Sequence, residues 1–135
     1  MNTFRKVIVR LFYFFTLFTF VYTFASFASS EAPHFTSEPP NYVSFSNNTG
    51  TVISCSATGH PTPEISWRTP EMPSIISDVP GLRYQRSDGS LVFPPFAAHK
   101  YRQEIHHSKY QCIASNSHGT IGSRNVHVQA GTFAY

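Results

Sequence analysis

The sequence predicts an all-β fold in which two sheets pack face to face and are joined by one disulfide. Beyond the first 28 residues, short runs of alternating apolar and polar residues are separated by turns rich in proline and glycine, and no stretch has helical periodicity. Because each alternating strand buries only one of its faces, the strands must form two sheets that pack their apolar faces together.

The first 28 residues have the pattern of a secretory signal peptide. Arg5, Lys6 and Arg10 precede a phenylalanine-rich apolar run over residues 11–28, and small residues follow it. We expect cleavage after Ala28. The alternative is an uncleaved membrane anchor, but the short length of the run and the threonines within it weigh against a membrane span.

The remaining chain divides into a polar lead-in at residues 29–33, a sandwich domain at 34–130, and a tail at 131–135. In a longer protein this tail would be a linker to the next domain. The predicted elements, in order, are a turn at 39–40, a strand at 51–55, a turn at 59–63, a strand at 65–67, a turn at 88–89, and strands at 91–93, 110–114 and 126–128, with a turn at 117–119 before the last strand.

Cys55 and Cys112 are the only two cysteines, and secretion would place them in an oxidising compartment. The simplest expectation is a disulfide between them. The bridge would close a loop of 57 sequence steps. A loop of this length contributes about 4 kcal/mol in the chain-entropy description, which is a large share of the stability of a small domain.

Two aromatic residues stand at informative distances from the cysteines. Trp67 lies twelve residues after Cys55, and Tyr110 lies two residues before Cys112. These spacings match an immunoglobulin sandwich, in which an indole packs against the bridge and a tyrosine hydroxyl bonds to the backbone upstream. We therefore assign Trp67, Tyr110 and Leu91 to the core that supports the fold.

Three stretches resemble the I-set immunoglobulin domains of adhesion receptors: GHPTPEISW at 59–67, SLVFPPF at 90–96 and YQCIASNSHG at 110–119. More narrowly, LVFPPFAAHKYRQEIHHSKYQCIASNSHG and SRNVHVQA resemble the first immunoglobulin domain of the Down syndrome cell adhesion molecule family. The resemblance covers residues 34–130. It implies an I-set sandwich that acts in homophilic cell adhesion, neuronal self-recognition and axon guidance.

The sequence departs from the family pattern before the second cysteine. The family has Asp-x-Gly-x-Tyr-x-Cys, whereas this chain has His106 and Ser108 at the Asp and Gly positions. The resemblance therefore implies that the buried ion pair between that aspartate and a basic residue is missing here. Family members are also long tandem receptors whose first immunoglobulin domain packs against the fourth.

Charge and motif content exclude several classes of function. Three of the ten basic residues lie in the leader, so the mature chain carries seven basic and seven acidic residues and has no net positive charge to attract nucleic acid. No nucleophile elbow, phosphate-binding loop or closely spaced acid pair is present. We expect no enzymatic activity, no cofactor, and no membrane contact by the mature domain.

The histidines do not have a metal-binding pattern in the sequence. His106 and His107 are adjacent, so in a strand they would point to opposite faces. His118 and His127 are expected to approach each other across the last hairpin, but no carboxylate or thiolate accompanies them. We expect ordinary surface histidines and no metal site.

Two further features concern the surface. Tyrosine and arginine are enriched at interface hot spots, so the candidate partner-binding residues are Arg83, Tyr84, Arg86, Tyr101 and Arg102. The Asn47-Asn48-Thr49 triplet is a glycosylation sequon in a predicted turn, and we expect a glycan on Asn47.

The sequence therefore predicts a secreted, non-catalytic recognition domain whose partner is the same or a related cell-surface receptor. The isolated domain is expected to be monomeric. The alternative is a free-standing secreted immunoglobulin domain that binds an unrelated immune or decoy ligand. A third interpretation, an incomplete copy of a longer receptor, would be distinguished by reading the transcript beyond Tyr135.

Overall fold

A computed structural model describes residues 29–132 of the chain. The predicted signal peptide at 1–28 lies outside the described residues, as do the last three residues of the predicted tail. The strands are β1 (Glu31–Ser37), β2 (Tyr42–Ser46), β3 (Thr51–Ile53), β4 (Ser56–His60), β5 (Glu64–Arg68), β6 (Tyr84–Gln85), β7 (Leu91–Phe93), β8 (His107–Asn116) and β9 (Gly119–Gly131). A 3-10 turn (Ala98–Lys100) and a one-turn helix, α1 (Gln103–His106), lie between β7 and β8.

The strands form two layers, which confirms the predicted sandwich. One layer is a four-stranded sheet in the order β2-β9-β8-β5, in which β2 runs parallel to β9 and the other pairs are antiparallel. The other layer contains the antiparallel sheet β3-β7-β6 and the pair β1-β4. Only Ser54 and Cys55 separate β3 from β4, so these two sheets are continuous along the chain.

The core lies between the layers and follows the period-two alternation of the strands. Tyr110 and Cys112 on β8 face inward from the four-stranded sheet, and Ile53 and Phe93 face them from β3 and β7. The rings of Phe93 and Tyr110 are 5.5 Å apart in an edge-to-face arrangement, a favourable geometry for aromatic pairs.

Several element bounds differ from the prediction because strand pairing extends beyond the alternating residues. β1 begins at Glu31, inside the predicted lead-in, because Glu31 pairs with His60. The same pairing continues β4 through Gly59 and His60, where a turn was expected. At the other end, Gly131 pairs with Ser46 of β2, so β9 includes the first residue of the predicted tail.

α1 was not predicted. Its four residues make a single turn, which is too short for a 3.6-residue periodicity to be recognised in the sequence. The helix nevertheless buries Ile105 and His106 and places His106 immediately before β8. Across residues 29–132, no helix has the length and apolar character needed to span a membrane.

Candidate interaction site

The predicted bridge joins the two layers. The sulfur atoms of Cys55 and Cys112 are bonded, with their Cα atoms 6.6 Å apart. Trp67 is fully buried opposite Cys112 in the β5–β8 register, and its indole N–H donates to the Gly89 carbonyl at 2.8 Å. Leu91 is also buried. These residues therefore lie where they support the fold and are not available to a partner.

Tyr110 occupies the position of a tyrosine corner. Its hydroxyl donates to the carbonyl of Ile105, five residues upstream, at 2.8 Å. Burial raises the pKa of the Tyr110 phenol above its ordinary value, so the hydroxyl stays protonated and can donate this bond. The bond ties the end of α1 to β8.

Arg83 is not a surface residue, and that prediction is wrong. Only 7% of Arg83 is exposed. One guanidinium nitrogen donates to the Tyr110 hydroxyl at 3.1 Å, and another donates to the Ser77 carbonyl at 2.9 Å. The guanidinium also lies over the Tyr110 ring, 5.5 Å from its centre. Arg83 is therefore part of the buried support of the tyrosine corner.

The other four candidate residues lie in two separate groups. Tyr84, on the edge strand β6, is 39% exposed, and Arg86 just beyond it is ion-paired with Asp88. Arg102 is exposed and ion-paired with Glu104, whereas Tyr101 is half-buried against the core. Within residues 29–132, no hydrogen bond or ion pair joins the first group to the second.

His106 fills the position where the family pattern has aspartate. Its ring is fully buried, stacked on Phe96 at 3.9 Å and on Tyr101 at 5.4 Å. The backbone N–H of Arg102 donates to Nδ1, so the neutral ring carries its proton on Nε2. Burial is the main reason why the pKa of His106 lies below its ordinary value.

The buried ion pair of the family pattern is absent from the described residues. Among residues 29–132, Arg83 makes no ion pair with a carboxylate, and the position that would supply one is His106. The side-chain atoms Arg83 Nε and His106 Nε2 are both buried without a hydrogen-bond partner in residues 29–132. Sequence comparison with the pattern pointed to this loss, but it did not indicate how the arginine would be accommodated.

The position of Asn47 argues against the predicted glycan. Asn47 is 3% exposed, and its Nδ2 atom, to which a glycan would be attached, donates to the Phe96 carbonyl at 3.0 Å. Attachment at Nδ2 would require this buried hydrogen bond to break and the turn to open. Glycosylation of Asn47 stays a prediction, and the folded structure opposes it.

Sequence reasoning missed two features on the outer faces of the sheets. On β3-β7-β6, the register aligns Val52, Val92 and Tyr84 in one row, and both Val52 and Tyr84 are exposed. On the four-stranded sheet, the rings of Tyr42 and His107 flank that of His127. Tyr42, Tyr84 and His107 lie outside the strands predicted from the sequence, and strand register is not readable from one sequence.

The last hairpin does not bring His118 towards His127, contrary to expectation. His118 lies in the turn between Asn116 and Gly119, whereas His127 pairs with Lys109 far along β9.

An open groove of about 430 Å³ lies elsewhere, between residues 69–77 and the start of β8, and Met72 and Ile75 are exposed along it. In residues 29–132, no three acidic, histidine or cysteine side chains converge on one point.

The bridged sheets, the buried indole and the tyrosine corner define an immunoglobulin domain. The family described as "Immunoglobulin domain" matches residues 32–116, and the chain belongs to that family. Within it, the chain is similar to the cell adhesion molecule Dscam1 of Drosophila melanogaster, with 50% identity over 108 residues, which is 80% of this chain and 5% of that protein. The mouse cell adhesion molecule DSCAM is 35% identical over 113 residues, 79% of this chain and 6% of that protein.

Solved structures agree with this similarity. The N-terminal four immunoglobulin domains of Dscam1 isoform 1.9 match with a TM-score of 0.76 and 50% identity, covering 79% of this chain and 27% of that one. An eight-domain DSCAM structure matches with a TM-score of 0.75 and 50% identity, over 78% of this chain and 15% of that one. The chain thus corresponds to one immunoglobulin domain and spans about a twentieth of the length of the curated relatives.

Proposed function

We propose that this chain is a non-catalytic recognition domain of a cell-surface adhesion receptor, and that it contacts other immunoglobulin receptors of the same kind outside the cell. The observation that carries the proposal is the 50% identity to Dscam1, a cell adhesion molecule, across nearly the whole described domain. Neither the structure nor these similarities favour the alternative of a free-standing decoy domain.

The fold supports a binding role for the surface of the domain. Its bridge, indole and tyrosine corner are buried, so recognition belongs to exposed sheet faces and loops. Tyr84, Arg86 and Arg102 remain candidate partner-binding residues because they are exposed. Arg83 is buried and Tyr101 is half-buried against the core. We expect the isolated domain to be monomeric at micromolar concentration, because we expect contacts of a single domain to bury less than the about 800 Å² per partner that a stable interface needs.

The proposal is tested by domain replacement. Three sets of beads are compared. The first is coated with the Dscam1 ectodomain, and the second with a chimera in which residues 29–132 of this chain replace the matching domain of that ectodomain. The third is coated with the Dscam1 ectodomain in which an unrelated immunoglobulin domain replaces the same domain. We expect the chimera to aggregate beads as the parent does and the unrelated replacement to fail. A folded, normally secreted chimera that does not aggregate would count against the proposal.

The monomer expectation is tested separately by sedimentation of the purified chain. A tight dimer at low micromolar concentration would contradict it. In the bead experiment, folding and secretion of the chimera are measured independently, so that loss of adhesion is distinguishable from loss of the fold.

A further inference from the structure

Two histidines come together on the outer face of the four-stranded sheet. Side chains of β8 and β9 alternate between the core and the outer face, and His107 and His127 belong to the outer phase on neighbouring strands. In the β8–β9 register, His127 is opposite Lys109 and His107 is opposite Gln129. The two histidines are therefore diagonal neighbours, at a separation that long side chains can span. Their ring centres are 5.6 Å apart.

This separation is close to what a shared metal ion requires. Zinc binds imidazole nitrogen at about 2.0–2.1 Å in tetrahedral geometry, which places the centres of two coordinated rings roughly 5 Å apart. The observed ring-centre separation of 5.6 Å is close to that value. Both backbones are paired in the sheet, His127 within β9 and His107 at the first residue of β8.

Both imidazoles are available to a ligand. Within residues 29–132, neither the His107 ring nor the His127 ring makes a hydrogen bond to another protein group, in contrast to His106, whose Nδ1 is occupied. The edge of Tyr42 lies against His127 with ring centres 5.9 Å apart, and the Tyr42 hydroxyl donates to Gln129 Oε1 at 3.0 Å. Tyr42 is thereby fixed and restricts the orientation of the His127 ring.

We propose that His107 and His127 form a two-imidazole site for a divalent late transition-metal ion such as zinc, a role that goes beyond adhesion. Imidazole suits zinc, copper and nickel, whereas magnesium and calcium prefer oxygen ligands. The chain supplies two of the four ligands that zinc takes, and the remaining positions are open to solvent. Lys109, directly opposite His127, places a positive charge beside the site and lowers its affinity for a cation.

The experiment is a titration of the purified chain with zinc chloride, followed by calorimetry and by the NMR signals of the histidine rings. We expect one zinc ion per chain, shifts in the signals of His107 and His127, and no binding of magnesium. His107→Asn and His127→Asn should each weaken zinc binding at least tenfold. His118→Asn, which removes an exposed histidine from the β8–β9 turn, is the matched control and should leave binding unchanged.

Lys109→Gln provides a second test in the opposite direction. Removing the neighbouring positive charge should strengthen zinc binding two- to threefold without changing the stoichiometry. Melting temperatures of the metal-free variants establish that the fold is intact. The proposal is overturned if zinc does not bind, if binding survives both single substitutions, or if His118→Asn weakens it as much as they do.

Discussion

Two buried nitrogen atoms, Nε of Arg83 and Nε2 of His106, lack a hydrogen-bond partner within residues 29–132. A buried polar atom that loses its contact with water and gains no partner destabilises the fold. The positive charges of Arg102 and Arg83 help to lower the pKa of His106, and the carboxylate of Glu104 opposes them. Phe96 and Tyr101 cover the His106 ring, so a proton added there would create a buried charge.

We therefore predict that acidification from pH 7.5 to 5.5 destabilises the chain through His106. Because the pKa of His106 is lower in the folded state, the unfolded chain binds the proton first as the pH falls. The stabilising contribution of neutral His106 is fully present above the pKa of the unfolded chain, about 6.5, and is lost as the pH falls through the pKa of the folded state. The free energy of unfolding then decreases by at most about 1.4 kcal/mol per pH unit. Denaturant unfolding at several pH values, with EDTA present, measures this dependence.

The variant His106→Gln should lose most of the pH dependence of the unfolding free energy, whereas the variant His118→Gln, changed at an exposed position, should retain it. The pKa values of Glu38, Asp88 and Glu104 are lowered, so these three carboxylates titrate at more acidic pH than this window. If His106→Gln and the unsubstituted chain lose stability in parallel between pH 7.5 and 5.5, His106 is not the responsible group.

The two arginines at 83 and 86 look alike in the sequence, but the structure separates them. We predict that Arg83→Ala lowers the free energy of unfolding by about 2–4 kcal/mol, because it removes two hydrogen bonds from a charged donor and its packing against Tyr110. Arg86→Ala, at an exposed position, should change it by no more than about 0.5 kcal/mol. Chemical denaturation of both variants decides this, and equal effects would refute the buried role of Arg83.

At the scale of elements, the turn between β2 and β3 controls how the two layers meet. Gly50 has a φ of 63°, in the left-handed region that glycine adopts without strain. A Cβ at this position would overlap the Phe93 carbonyl oxygen and lie 2.9 Å from the Pro94 carbonyl carbon. The turn therefore packs directly against the chain leaving β7, and Asn47 reinforces this contact through its bond to Phe96.

Gly50→Ala and Gly81→Ala form a matched pair that separates backbone strain from steric overlap. Gly81 has a φ of 75°, but a Cβ there would meet no atom within 4 Å. We predict that Gly81→Ala costs about 1–2 kcal/mol from backbone strain alone. Gly50→Ala should cost at least about 2 kcal/mol more, because the Phe93 backbone must also move. Similar melting temperatures for the two variants would show that the turn relaxes freely.

For the whole molecule, the bridge is the strongest single constraint on the unfolded chain. Cys55 and Cys112 are separated by 57 residues, so the bond removes much of the conformational freedom of the unfolded state. We predict that Cys112→Ser lowers stability by about 4 kcal/mol and greatly reduces the yield of folded, secreted protein. Yield and melting temperature are the measurements.

The double variant Cys55→Ser, Cys112→Ser is the control for this prediction. It removes the bridge without leaving a free thiol, so it should lose the same stability as the single variant. A Cys112→Ser protein with normal yield and an unchanged melting temperature would contradict the stabilising role of the bridge.

The sequence by itself determined the fold class, the disulfide and three large core residues, Trp67, Tyr110 and Leu91. Alternation, turn residues and the spacing of Trp67 and Tyr110 from the cysteines are local signals, and each remains visible in a single chain. It also pointed to the loss of the family's ion pair, because His106 stands where that pattern has aspartate. These features depend on residue type and short spacing alone.

Only the tertiary structure decided which surface residues are in fact exposed and which side chains meet. Arg83 and Arg86 have the same local character, but Arg83, just before β6, bonds to the Tyr110 hydroxyl, whereas Arg86, just after β6, lies in solvent. The approach of His107 to His127 depends on the β8–β9 register, and a shift of one residue in either strand would have moved its histidine to the opposite face. Register and burial are set by contacts between residues distant in the chain, so no local pattern encodes them.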